Sequence, residues 1–163
     1  SDLWGARWAK LMVNCMANAL AGVSGYGTNE VRSELDPLRI GIQLGAEVAR
    51  VALAEGITLQ KVLELPAESI IDAAEGRNIE EVEAAFIEAG KKGGAGGVPS
   101  FGQDVRKGRR NEIDYLNGYV SDLGKKLGVP TPFNDKIVEI VHDLGIDFKG
   151  EVKNIQPLVD MLP

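Results

Sequence analysis

The chain has 163 residues, 44% of them hydrophobic, with 18 basic against 24 acidic side chains, a formal charge of -6 and a pI near 4.9. That is enough chain for one domain with a real core, and its basic residues are dispersed, which excludes the electrostatic footprint that nucleic acid requires. A lone Cys15 excludes an internal disulfide, a lone His142 leaves no Cys/His metal cluster, and no apolar run approaches the roughly 18 residues of a membrane span, so a cytoplasmic protein with no metal, membrane or nucleic-acid partner is expected.

The first predicted helix runs from about Leu3 to Leu20 or beyond, with Trp4 and Trp8 on one face. Within it Lys10, Asn14 and Asn18 recur every four residues and form a polar row among Leu11, Met12, Val13, Cys15 and Met16. Burying such a row costs several kcal/mol unless each group finds a partner, and a ligand facing a cleft is one such partner. Gly22, Gly25 and Gly27 are expected to break the helix. A short turn at Thr28–Arg32 follows, and then a helix capped by Asp36 with Pro37 at its first position, carried by Leu38, Ile42, Leu44 and Val48 and ended by Gly56.

Thr58 is placed to cap a short helix through Leu65, and Pro66 to open another through Ala74. Asn78-Ile79-Glu80-Glu81 has the form of a capping box and begins a helix with Val82, Ala85, Phe86 and Ala89. The glycine run Gly93–Gly97 fits neither phosphate-binding glycine pattern and reads as a loop that can act as a flap. Ser100-Phe101-Gly102-Gln103 matches a second capping box, from which a long helix is predicted to about Leu127. On that helix Ser100, Asp104, Gly108 and Glu112 make a second polar row. Asn134 caps a last helix, Asp135 to Leu144, and the tail after Gly145 carries apolar residues that can pack back on the domain. No stretch alternates, so an all-α helical bundle without sheet is predicted.

A small 2-keto acid between the two rows would find what it needs. Its carboxylate needs donors, its ketone oxygen an acid, and a remote hydroxyl an acceptor. A lysine desolvated among apolar groups moves toward the working range of a general acid, which suits Lys10. Asn14, Asn18 and Ser100 can donate to carboxylate or hydroxyl oxygens, and Glu112 can accept from a hydroxyl or hold Lys10. Taken singly, Ser100 is as well read as a cap only, Glu112 as half of a surface pair with Arg109, and Asp104 as a solvated charge.

The constellation carries a resemblance. Lys10-Leu-Met-Val-Asn14-Cys-Met-Ala-Asn18, with Ser100-Phe-Gly-Gln-Asp104-Val-Arg-Lys-Gly-Arg-Arg-Asn-Glu112-Ile-Asp-Tyr-Leu-Asn-Gly118, resembles the C-terminal domain of ketopantoate reductase (2-dehydropantoate 2-reductase), and Gly128-Val-Pro-Thr-Pro-Phe-Asn134 resembles the segment that follows. The resemblance covers about Trp4 to Leu144. It implies the helical fold shared with related 6-phosphogluconate-dehydrogenase-like C-terminal domains. It also implies Lys10 as general acid, Glu112 as its catalytic assistant and a substrate ligand, Asn14, Asn18 and Ser100 as keto acid contacts, and Asp104 in support. It further implies an N-terminal Rossmann domain holding NADPH, whose glycine motif is not in this sequence, so this chain by itself is expected to be inactive. Two alternatives stay open: a non-catalytic helical module used for protein binding or homodimer formation, and a reductase of a different 2-keto acid. The segment from Leu65 to Val98 and the tail after Gly145 are longer than in the family's compact members.

Overall fold

The computed structural model describes residues 2–93, 97, 99–107 and 111–163, and of residues 100 and 106 the backbone alone. Among them the helices are α1 (Leu3–Ser24), α2 (Thr28–Ser33), α3 (Leu35–Ala54), α4 (Ala67–Ala74), α5 (Ile79–Lys92), α6 (Ser100–Arg106), α7 (Asn117–Leu127), α8 (Pro132–Leu144) and α9 (Gln156–Val159). Short 3-10 turns lie at Ile113–Tyr115 and Val152–Ile155, and there is no strand among the described residues, as the lack of alternation requires.

The two longest helices, α1 and α3, pack on each other through small residues. A Cβ on Gly45 would lie 2.7 Å from the Met16 sulfur, and one on Gly41 would lie 3.1 Å from the Met16 carbonyl oxygen. Glycine at these positions lets the α1 backbone and the Met16 thioether settle onto α3. Around this contact stand two apolar clusters. One gathers Met12, Ile42, Val48, Ile70 and Phe86, the other Leu20, Leu44, Phe101, Ile137 and Leu158. Each large aliphatic side chain buried in them is worth roughly 1.5–3 kcal/mol.

Asp2 caps α1 by accepting from the Gly5 N–H at 2.8 Å. The helix runs through Gly22 and stops at Gly25, whose φ of 80° is the left-handed conformation that ends helices. Of the three glycines expected to break it, Gly25 alone does so. Trp4 and Trp8 part company. Trp8 is buried with its ring centroid 6.1 Å from that of Tyr119, while Trp4 is exposed with the Arg7 guanidinium 5.4 Å from its ring centre.

Several predicted elements change. The region from Thr58 to Leu65 is not helical. Val62 and Leu65 instead exchange two backbone hydrogen bonds of 2.9 Å across Leu63 and Glu64, whose φ values of 52° and 63° define a tight turn. Pro66 disfavours a helical Leu65, and burying Val62 fixes the turn in place. α3 begins at Leu35, one residue before the predicted Asp36 cap. Asn78 does stand before α5, but with φ 53° and without a capping side-chain hydrogen bond.

The predicted helix from Ser100 to Leu127 is two helices with a 3-10 turn between them. The Asn111 side-chain carbonyl accepts from the Ile113 N–H at 3.2 Å, a local bond that competes with helix continuation. The tail is placed as well. The Glu151 N–H and the Asn154 side-chain amide both donate to the Val23 carbonyl at 3.0 Å, and Ile155 and Leu158 are buried in the second cluster. Gly94, Ala95 and Gly96, the centre of the glycine run, lie outside the described residues.

Candidate functional site

Lys10, Asn14 and Asn18 do share one side of α1, over about 12 Å of its axis. The expected desolvation of Lys10 among apolar groups is corrected: Lys10 is exposed, while Asn14 and Asn18 are half-buried. Among the described residues none of these three side chains is consumed by a hydrogen bond or ion pair of the fold.

The same row continues one turn further to Gly22, and there α6 crosses. A Cβ on Gly22 would stand 2.2 Å from the Phe101 ring and 3.5 Å from the Gly102 nitrogen, so the close contact depends on the missing side chain. The first turn of α6, with Ser100, is thereby set one helical turn from Asn18. The Ser100 side chain is outside the described residues, as is Gly108. Asp104 is half-buried on α6. Gly22→Ala is expected to push α6 off α1 at a cost of about 1–3 kcal/mol, measured as a lowered urea midpoint. An unchanged midpoint would show that Phe101 can move without loss.

Beyond Gly22 a cleft of about 470 Å³ opens between Ala21, Gly25, Tyr26, Gly102, Val105 and the tail segment Asp147 to Gly150. Gly102 lies about 160° around α6 from Asp104, and neither Lys10, Asn14, Asn18 nor Glu112 lines the cleft.

Because α6 ends at Arg106, Glu112 does not continue a row from Ser100, and that second row is corrected. Glu112 instead precedes the 3-10 turn, where its carbonyl accepts from the Tyr115 and Leu116 N–H groups at 3.0 and 3.1 Å, and its side chain is exposed. The turn is tied down on both sides. Ile113 is buried in the cluster that holds Ala17 and Leu20, and Asn117 is wholly buried, its side-chain amide donating to the Cys15 carbonyl at 3.2 Å. Cys15 adjoins Asn14. The segment bearing Glu112 is thus fastened to α1 at the level of the polar row by contacts distant in sequence.

Asn117 belongs to a buried polar chain for which the sequence reading had no role. Its amide also donates to the Asn134 carbonyl at 2.9 Å. Asn134 in turn donates to Glu47 at 2.7 Å and to the Leu44 carbonyl at 3.2 Å. Glu47, 2% exposed, also accepts the first free N–H groups of α8, from Phe133 at 2.8 Å and from Asn134 at 2.9 Å. A carboxylate there meets the positive end of the 13-residue helix α8 and its orphan donors. Burial nonetheless raises the Glu47 pKa above the usual carboxylate value, against those hydrogen bonds.

Asn134 is therefore a buried strut inside α8 and not its cap, which falls at Thr131. The available signal was Glu47 itself, a single carboxylate in the apolar run Gly45-Ala46-Glu47-Val48-Ala49. Among the described residues no cluster of His, Cys, Asp and Glu is arranged to hold a metal, and no helix is long and apolar enough to cross a membrane. Burial pushes the Cys15 thiol far up, leaving it an inert core group.

The chain is an all-helical domain with a Lys-Asn-Asn row on its first helix, to which the start of α7 is tied through Asn117. Residues 2–145 match the family described as Ketopantoate reductase PanE/ApbA C terminal, and the chain belongs to that family. It is 31% identical over 150 residues to a 2-dehydropantoate 2-reductase of Streptococcus pyogenes, covering 91% of this chain and 41% of that relative's length. The fold is similar to a ketopantoate reductase family structure from Ralstonia eutropha (TM-score 0.62, 25% identity, 99% of this chain and 43% of the other). It is also similar to a D-mandelate dehydrogenase in complex with NADH (TM-score 0.65, 24% identity, 100% and 53%), a likeness of fold alone. The tail after Gly145 lies outside the family match.

Proposed function

We propose that this chain is the substrate-binding, acid-supplying part of a nicotinamide-dependent 2-keto acid reductase, with ketopantoate as substrate, pantoate as product and NADPH as reductant, serving pantothenate formation. The observation that carries the reading is the unconsumed row Lys10, Asn14 and Asn18 beside the fastened Glu112 segment, in a chain whose curated relatives are named 2-dehydropantoate 2-reductases.

A reduced nicotinamide supplies the hydride when bound, and no residue described here is assigned to holding it. The nucleotide is assigned to a Rossmann domain preceding Leu3, in keeping with the chain's 41% share of the relative's length. The exposed surface suits such a neighbour: Leu3, two turns before Lys10 on the same side of α1, and Tyr115, in the turn that follows Glu112, are 58% and 80% exposed. Covering it would shut water away from Lys10 and Glu112 and strengthen their electrostatics.

In this reading the Lys10 ammonium donates a hydrogen bond to the ketone oxygen and passes it the proton as negative charge develops there. Asn14 and Asn18 hold the carboxylate and the remote hydroxyl with their amides, and Ser100 adds a hydroxyl from the first turn of α6. Glu112 accepts from the substrate hydroxyl and orients the Lys10 ammonium, and Asp104 supports α6. Holding the keto group against Lys10 in one orientation replaces a random encounter by a fixed one.

The test is NADPH oxidation by the full-length protein against a panel of 2-keto acids, ketopantoate included. Ketopantoate is expected to have the highest kcat/KM; another acid ahead of it would reassign the substrate, and no turnover with any would remove the reading. For the chain alone, the Asn14 and Asn18 side-chain amide NMR signals are expected to shift on adding ketopantoate.

A further inference from the structure

Asn117 touches none of the groups assigned to the substrate, yet it is 0% exposed and its side-chain oxygen has no hydrogen-bond partner among the described residues. A leucine would fill similar space without stranding a carbonyl in the core. What the amide does instead is make two long-range bonds at once, to Cys15 on α1 and to Asn134 on α8. We infer that Asn117 is a positioning residue for Glu112, clamping the segment Glu112–Asn117 at a fixed height along the α1 row; the inference rests on the proposed role of Glu112.

The direction in which the amide faces is set from the far end of the chain of bonds. The Glu47 carboxylate, when ionised, only accepts, so Asn134 must turn its NH₂ toward Glu47 and present its carbonyl to Asn117. Asn117 must then turn its own NH₂ toward Asn134 and the Cys15 carbonyl, which leaves its oxygen as the unpaired terminus. Each link polarises the next, so one orientation of the clamp is selected over its flipped alternative. Between clamp and carboxylate lies a single 3-10 turn whose other anchor is Ile113. A loosened Asn117 frees that turn to shift, and a shift of about 1 Å in a reacting group can cost on the order of a hundredfold in rate.

The experiment is a double-mutant cycle in the full-length enzyme, measuring kcat and KM for ketopantoate with Asn117→Ala, Glu112→Gln and the pair, each checked for folding by near-UV circular dichroism. Asn117→Ala is expected to lower kcat at least tenfold in folded protein, and the pair to be no slower than Glu112→Gln alone, because a clamp acting through Glu112 has nothing left to position. Should Asn117→Ala fail to fold, Asn117→Ser keeps one donor and enters the same cycle. An unchanged kcat, or losses that multiply in the pair, would overturn the inference while leaving the reductase reading intact. A Glu112→Gln enzyme with undiminished kcat and KM would instead remove the role of Glu112 and the clamp with it.

Discussion

Replacing Lys10 with alanine in the full-length enzyme is expected to lower kcat for ketopantoate by about 10²- to 10⁴-fold, the range that a positioned general acid contributes. The side chain is exposed on α1 and engages no other described group, so its removal leaves the fold untouched. The unfolding free energy of the chain should therefore move little, within about 0.5 kcal/mol of the parent. Rate lost without stability lost separates a chemical role from a structural one. Turnover close to that of the parent would remove Lys10 as the acid and leave the row as a binding surface only. Lys10→Arg sharpens the comparison: it keeps the positive charge but not a readily transferred proton, so it is expected to fall nearly as far as alanine.

The largest effect on stability is expected at Glu47. Glu47→Ala strips the acceptor from the Phe133 and Asn134 N–H groups and from the Asn134 amide in one step. With three buried donors left unpaired, the cost is about 3–5 kcal/mol, a fall of roughly 10 °C or more in the thermal midpoint. Glu47→Gln retains one acceptor oxygen and should lose less.

The pH dependence has a definite sign. Burial raises the Glu47 pKa in the folded state, so between the unfolded and folded pKa values the native protein holds more protons than the unfolded chain. Its contribution is fully present below the unfolded carboxylate pKa and is lost as pH rises through the raised one. The difference in unfolding free energy between the parent and Glu47→Gln should therefore shrink as pH increases from about 4. A difference that grows across that range would mean that the hydrogen bonds from α8 outweigh burial.

How much of this was legible in the sequence differs from residue to residue. Lys10, Asn14 and Asn18 were legible because a four-residue spacing puts side chains on one side of any helix, whatever surrounds it. Their exposure was not, since apolar neighbours in sequence face other directions on the helix and say nothing of what covers the row. Ser100 and Glu112 were proposed for the site through a resemblance, and the helix drawn between them was wrong: Asn111 turns its side chain onto the backbone and the chain restarts at Asn117. Asn134 was a good cap by residue type and became a strut, because Glu47, far away in the chain, offers its amide a stronger partner than the helix end does.

By itself, then, the sequence determined the class of fold, the polar row and its family, because helical periodicity and a local motif are properties of neighbouring residues. The tertiary structure alone decided that α1 and α6 meet at Gly22 and Phe101, that the tail folds back onto Val23, and that Asn117, at the start of α7, is tied to α1 through the Cys15 carbonyl. Those contacts join residues dozens of positions apart, and their partners are selected by shape and by the need of buried polar groups for one another, which no local pattern records.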